Sequence, residues 1–151
     1  RRLSPVAAPA KLRAMTSEPE SPPRIIQPDG WKRPRGYSNG MAARGEMLAV
    51  AGQIGWDTDE RIVDGGFIPQ FRQALANVVE VVKAGGGQAS NIISLTLYVT
   101  DKQQYIDAIG EVGSIYRELM GKHFPAMALV GVASLLEPRA VVEIQALAVL
   151  P

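Results

Sequence analysis

The order of hydrophobic patterns along this chain predicts an α+β domain, a sheet of about five or six strands with two helices on one face. Three observations carry that expectation. Phe67 to Ala84 and the stretch from Thr100 to about Met120 place apolar residues at helical spacing. Short segments before, between and after them are apolar or alternate with period two, as strands do. Taken in sequence they read β-β-β-α-β-α-β-β, and no repeat of longer period interrupts them.

The totals fit one domain. With 151 residues, 46% of them hydrophobic, the chain can build a sizeable core. A charged content of 21% and a net charge of +1 give no general reason to expect nucleic acid or an acidic membrane as partner. The absence of cysteine excludes disulfides, zinc-thiolate sites and cysteine nucleophiles, and it fits a reducing, cytoplasmic setting. A single histidine, His123, cannot make a His-rich metal site, and no apolar run approaches the roughly 20 residues of a membrane helix.

Residues 1–23 are rich in Pro, Ala, Ser and charge without periodicity, and read as a flexible tail before a domain spanning 24–151. Arg1, Arg2, Lys11 and Arg13 precede any acid, as in a transit peptide, but no amphipathic repeat accompanies them; Met15 reads equally well as a natural start.

Arg24 to Gln27 is a short edge strand. The following loop joins Lys32, Arg33 and Arg35 to Trp31 and Tyr37. Such a cluster can hold RNA, but the rest of the chain is not basic, so a solvated loop is the better reading. Met41 to Arg44 and Met47 to Gln53 read as a hairpin turning at Arg44-Gly45-Glu46, its second arm apolar enough to be buried on both faces. Gly52 ends that arm, where the backbone can approach another group closely. Asp57, Asp59, Glu60 and Asp64 lack the spacing of a calcium loop and read as solvated surface.

In the first helix, Phe71, Leu75, Val78 and Val82 form one apolar stripe, Pro69 suits the first turn, and Gly85-Gly86-Gly87 stops it. In Asn91 to Val99, Ile93, Leu95, Leu97 and Val99 share one face. Thr100 with Gln103 resembles a capping box for the second helix, whose stripe is Tyr105, Ile109, Val112, Tyr116 and Leu119. His123, alone in the loop beyond, gets no functional role. In the last two strands, Met127, Leu129 and Gly131 oppose Ala128, Val130 and Val132, and the wholly apolar face of Val142, Ile144, Ala146 and Ala148 opposes Val141, Glu143, Gln145, Leu147 and Val149.

Two helices cover one sheet face only. Met127, Leu129, Leu147 and Val149, assigned to the other, would remain uncovered, and Glu143 would lie among them. An apolar face of this kind marks an interface, so a homo-oligomer with pockets between subunits is expected.

Gly36-Tyr37-Ser38, Ala51-Gly52-Gln53, the helix around Phe71 to Asn77, Leu97 to Asp101, Phe124-Pro125-Ala126 and Val142-Glu143-Ile144 together resemble the RidA/YjgF family, also called the L-PSP endoribonuclease-like family, over about Ile25 to Leu150. The resemblance implies a chorismate-mutase-like fold and a homotrimer with a central barrel and inter-subunit clefts. It implies hydrolysis of small reactive enamines and imines, such as 2-aminoacrylate, to a ketoacid and ammonia, with no metal or organic cofactor. Glu143 and Tyr37 would be catalytic, the carboxylate positioning water and moving protons and the phenol hydrogen-bonding substrate or water. Gly52, Met127, Ala128, Leu129 and Gly113 would contact substrate.

Met127 stands where the family's pattern has an arginine that holds the substrate carboxylate, Gly113 where it has an asparagine, and Ala51 where it has a serine. A thioether cannot make a guanidinium's bidentate contact, worth ~1.5–3 kcal/mol or more. The chain therefore resembles an arginine-less branch, with a larger or more apolar ligand than 2-aminoacrylate or an anchor from elsewhere; Arg35, Arg44 and Arg139 are candidates by charge. A non-catalytic small-molecule binder on the same scaffold is the alternative, with Glu143 a structural carboxylate, Tyr37 a packed loop aromatic and Met127 core filling. Ribonuclease activity, named by the family's older title, lacks an acid-base pair and a basic groove.

Overall fold

The computed structural model describes residues 21–151, so the tail reading lies almost wholly outside the described residues. Strands β1 (Arg24–Ile26), β2 (Gly40–Ala42) and β3 (Glu46–Ile54) precede helix α1 (Phe67–Ala84). Strand β4 (Ile92–Val99), helices α2 (Lys102–Asp107) and α3 (Ile109–Met120), and strands β5 (Ala126–Gly131) and β6 (Val142–Leu150) complete the chain. This is an α+β fold built on a mixed four-stranded sheet, order β3-β6-β4-β5, beside a small β1-β2 pair. Only β4 and β5 run parallel within the main sheet. No described helix is long and apolar enough to cross a membrane.

Helix α1 lays Phe71, Leu75, Val78 and Val82, with Ala74, against β3 and β6, each at most 1% exposed. Burying each large apolar side chain contributes about 1.5–3 kcal/mol, and this stripe is the centre of the core. Val142, Ile144, Ala146 and Ala148 of β6 face it, as the period-two pattern predicts. Two side-chain amides tie α1 down, one in its first turn and one near its middle. Gln70 is buried, donates to the Arg139 carbonyl at 3.0 Å and accepts from the Val141 amide at 2.9 Å. Asn77 donates to the carbonyls of Ile54 and Trp56 at 3.2 and 2.9 Å. Through them the loops flanking β3 and β6 are fixed to the helix.

Several expectations need correction. The anticipated β2–β3 hairpin does not form: β2 pairs with β1, and β3 pairs with β6. Leu48 and Val50 of β3 lie in register with Ala148 and Ala146, joining the face that α1 covers, whereas β2 supplies no fully buried side chain. Nor is β3 buried on both faces, since Met47, Ala49 and Ala51 are exposed. The strand also runs past Gly52 to Ile54, through a bulge where Ala51 and Gly52 fall between the Val50–Ala146 and Gln53–Ile144 pairs.

In β4 the register shifts between Ile92 and Ser94, so Ile92 is the fully buried residue and Ile93 only partly so. The second helix is two, broken at Ala108, and its cap is Asp101, whose carboxylate accepts from the Gln103 amide at 2.8 Å, not Thr100. The buried residues of α3 are Val112, Ile115, Tyr116 and Met120. Asp57 is more than solvated surface: it accepts from the amides of Asp59 and Arg61 at 2.9 and 3.0 Å, and these bonds hold its carboxyl below the usual range. His123 is structural, its Nε2 lying 2.6 Å from the Ile92 carbonyl.

Candidate functional site

The main cavity, about 540 Å³, opens between the sheet, α1, the α2–α3 pair and the loop before β2. Phe71, Tyr105, Ile109, Phe124, Met127 and Leu129 give it apolar walls. Tyr37 and Arg35 reach it from the loop, and Gly113 and Arg117 from α3. The loop is held at the head of β5 by Ser38, whose amide donates to the Pro125 carbonyl at 3.0 Å and whose hydroxyl donates to that of Phe124. This clamp sets Tyr37, itself 44% exposed, beside the Phe124–Met127 segment. Tyr116 closes the far wall, stacked on Phe124 with ring centroids 5.5 Å apart and donating to the His123 carbonyl at 2.9 Å. Burial pushes its phenol well above the usual range, with the neighbouring Tyr105 adding to the shift, and burial raises Tyr105 too.

Glu143 does not line this cavity. It is in register with Tyr98 of β4, which pairs with Val130 of β5; residues in register share a face, so Glu143, Tyr98 and Val130 lie on the side away from the helices. Its carboxylate lies over Gly52: a Cβ built there would fall 2.7 Å from Glu143 Cδ, so any side chain at this position would have to push the carboxylate aside. The close approach expected at Gly52 therefore has a partner, the one carboxylate in the β6 strand. No Lys, Arg or His among the described residues forms an ion pair with Glu143.

Met127 and Leu129, expected on the uncovered face with Glu143, lie on the other side of the sheet. Parallel pairing sets Met127 beside Leu95 and Leu129 beside Leu97, both core residues, so the two face the helices and line the cavity. Ala128, in register with Thr96 and through it with Gln145, faces the other way. The seven anticipated residues thus divide into two groups. Tyr37, Gly113, Met127 and Leu129 meet in the cavity, while Gly52, Ala128 and Glu143 belong to the opposite sheet face.

Of the candidate cations, only Arg35 reaches the cavity. Arg139 pairs with Asp64 at 3.4 Å, and Arg44 lines a separate small hollow near the C-terminus. Arg117 went unnoticed in the sequence. The available signal was its position four residues after Gly113, which puts both on one helix face.

Residues 31–150 match the family described as Endoribonuclease L-PSP. The chain belongs to that family. Among its solved members, the Rid-family protein YyfB of Yersinia pestis superposes with a TM-score of 0.76 at 29% identity, covering 86% of this chain and all of YyfB. YjgF of Escherichia coli gives a TM-score of 0.59 at 31% identity over 75% of this chain and 87% of its own. A goat protein named 2-iminobutanoate/2-iminopropanoate deaminase is 34% identical over 103 residues, 68% of this chain and 72% of that protein. The family thus includes proteins named as imine deaminases, and this chain shares their fold.

Proposed function

We propose that this protein is a deaminase of the Rid type, a hydrolase that releases ammonia from a small reactive imine or enamine in clefts between the subunits of a homotrimer. The observation that carries the reading is the division of the site. Glu143, held against Gly52, and the Tyr37–Met127 cavity lie on opposite faces of one sheet. A ligand touching both needs two copies of the chain, the open face of one supplying Glu143 and the cavity of the next supplying the walls. Exposed Met47, Val130 and Leu147 on the open face support contact with another copy.

The chemistry follows from the groups present. Water adds to the carbon of the C=N bond as the Glu143 carboxylate takes one of its protons and passes it to the imine nitrogen, giving a neutral carbinolamine. Glu143 then moves the carbinolamine's hydroxyl proton to the nitrogen, so that a C=O group forms and ammonia leaves. Tyr37 can hydrogen-bond the substrate at the cavity mouth. The deaminase names carried by relatives support the reaction class. Met127, a thioether at the position expected to hold a carboxylate-binding arginine, favours a second reading, a scaffold that binds without turnover.

Ammonia release from a panel of imines, including 2-aminoacrylate and branched and aromatic analogues, decides between them. Wild type is expected to accelerate release on at least one, and Glu143→Gln to lose ~10²–10⁴-fold, the usual contribution of a positioned acid-base group. No acceleration on any substrate, or equal rates in the variant, would overturn the catalytic reading.

A further inference from the structure

The walls of the cavity are apolar, yet among the described residues Arg35 and Arg117 are the only ionised side chains that line it, and no acid does. Two exposed arginines therefore border a 540 Å³ space on a chain whose net charge is only +1. Neither pairs with a carboxylate among the described residues, where the ion pairs instead engage Arg61, Arg72, Lys83 and Arg139. Met127 on the floor offers no charge of its own.

The position of Arg117 has a local cause. Side chains on a helix lean toward its N-terminus, so a residue lies over the one four earlier. For Arg117 that residue is Gly113, and a Cβ built there would sit 3.5 Å from Arg117 Nη1. That is ordinary contact distance, so the guanidinium lies over Gly113 along α3, in space a longer side chain there would contest. Ser114 steadies it: its hydroxyl donates to the Gly110 carbonyl at 3.1 Å and accepts from Arg117 Nη2 at 3.4 Å. Most of the guanidinium's donors remain for a ligand.

We propose that Arg117, seconded by Arg35, is the carboxylate-binding group of this cavity, and that the occupant is an α-imino acid with a bulky apolar side chain, aromatic or branched. The guanidinium fork suits a carboxylate. The apolar body would lie among Phe71, Tyr105, Ile109, Met127 and Leu129, where flexible Met127 adapts to shape. The volume is within the ~300–1,000 Å³ range of pockets for much larger molecules than a three-carbon imine. The assignment rests on the reading that this cavity is the substrate site.

The test uses the full chain and two stable probes, phenylpyruvate and benzyl methyl ketone, which differ in whether a carboxylate or a methyl group flanks the carbonyl. Binding is measured by calorimetry for wild type, Arg117→Gln, Arg35→Gln and, as control, Arg72→Gln, whose guanidinium pairs with Glu118 on the surface. Wild type is expected to prefer the carboxylate probe by at least ~10-fold, and Arg117→Gln to lose most of that preference, as loss of a charge-assisted hydrogen bond predicts. Arg35→Gln should lose less and Arg72→Gln nothing, with binding of the ketone unchanged throughout. A preference that survives in both Arg117→Gln and Arg35→Gln overturns this assignment and leaves the cavity as the substrate site. Failure of wild type to bind either probe overturns both.

Discussion

The two faces of the main sheet are made by alternate residues of the same strands and have opposite fates. Toward the helices, Val142, Ile144 and Ala148 of β6 are fully buried; away from them, Gln145 and Leu147 are exposed, Leu147 at 39%. On β3, Val50 is buried while Met47 is 71% exposed. The closed face stabilises the single chain. The open face does little for it, yet it carries Glu143 and the bulge that lets Gly52 meet the carboxylate. The core and the Glu143–Gly52 contact thus lie on different sides of one sheet, and substitutions on each should have separable effects.

The largest effect should come from charge on the open face. In the homotrimer proposed above, Leu147→Glu would place an unpaired carboxylate between subunits, at a cost of ~3–5 kcal/mol, while leaving each chain folded. If wild type sediments as the proposed trimer, the variant should sediment at single-chain mass with the circular dichroism spectrum retained. A wild type that already sediments as a monomer breaks the comparison. On the closed face, Leu75→Ala opens a cavity under α1 and should cost about 2–5 kcal/mol in denaturant unfolding. If it costs less than Leu147→Glu does in assembly, the order of effects stands.

Gly52→Ala sharpens the contrast further. The new methyl must displace Glu143, so imine hydrolysis should fall in parallel with Glu143→Gln, at a stability cost of only ~1–3 kcal/mol. Full activity would show that the carboxylate need not rest on Gly52. The smallest change belongs to Tyr116→Phe, which keeps the stacking on Phe124 but removes the bond to the His123 carbonyl, at ~0.5–1.5 kcal/mol at neutral pH. Because burial raises this phenol's pKa in the folded chain, the folded state keeps a proton that the unfolded state loses above about pH 10. Wild-type stability should therefore decline as pH rises past 10, and urea midpoints should show a shallower decline in the variant.

Much of this was legible in the residues. The bounds of α1, from Phe67 to Ala84, follow from its stripe, Pro69 and the triple glycine. The alternation of β6 was legible, as were the close approach at Gly52 and the segments that place the chain in its family. Met127 shows the limit. Period two separates Met127 and Leu129 from Ala128 and Val130, but it does not say which pair faces the helices. That depends on β5 lying parallel to β4 with Met127 beside Leu95, a pairing between residues 32 positions apart. The same holds for β3, whose partner is β6 and not the strand just before it.

What the sequence determined by itself is local: where the chain turns helical or extended, which residues alternate, where glycine admits a neighbour. These follow from backbone sterics and from hydrophobic spacing within a few residues. The tertiary structure alone decided strand partners, the face on which Met127 and Leu129 lie, and the arrival of Arg117 at the cavity. Those outcomes depend on burial shared between distant segments, which no single segment encodes.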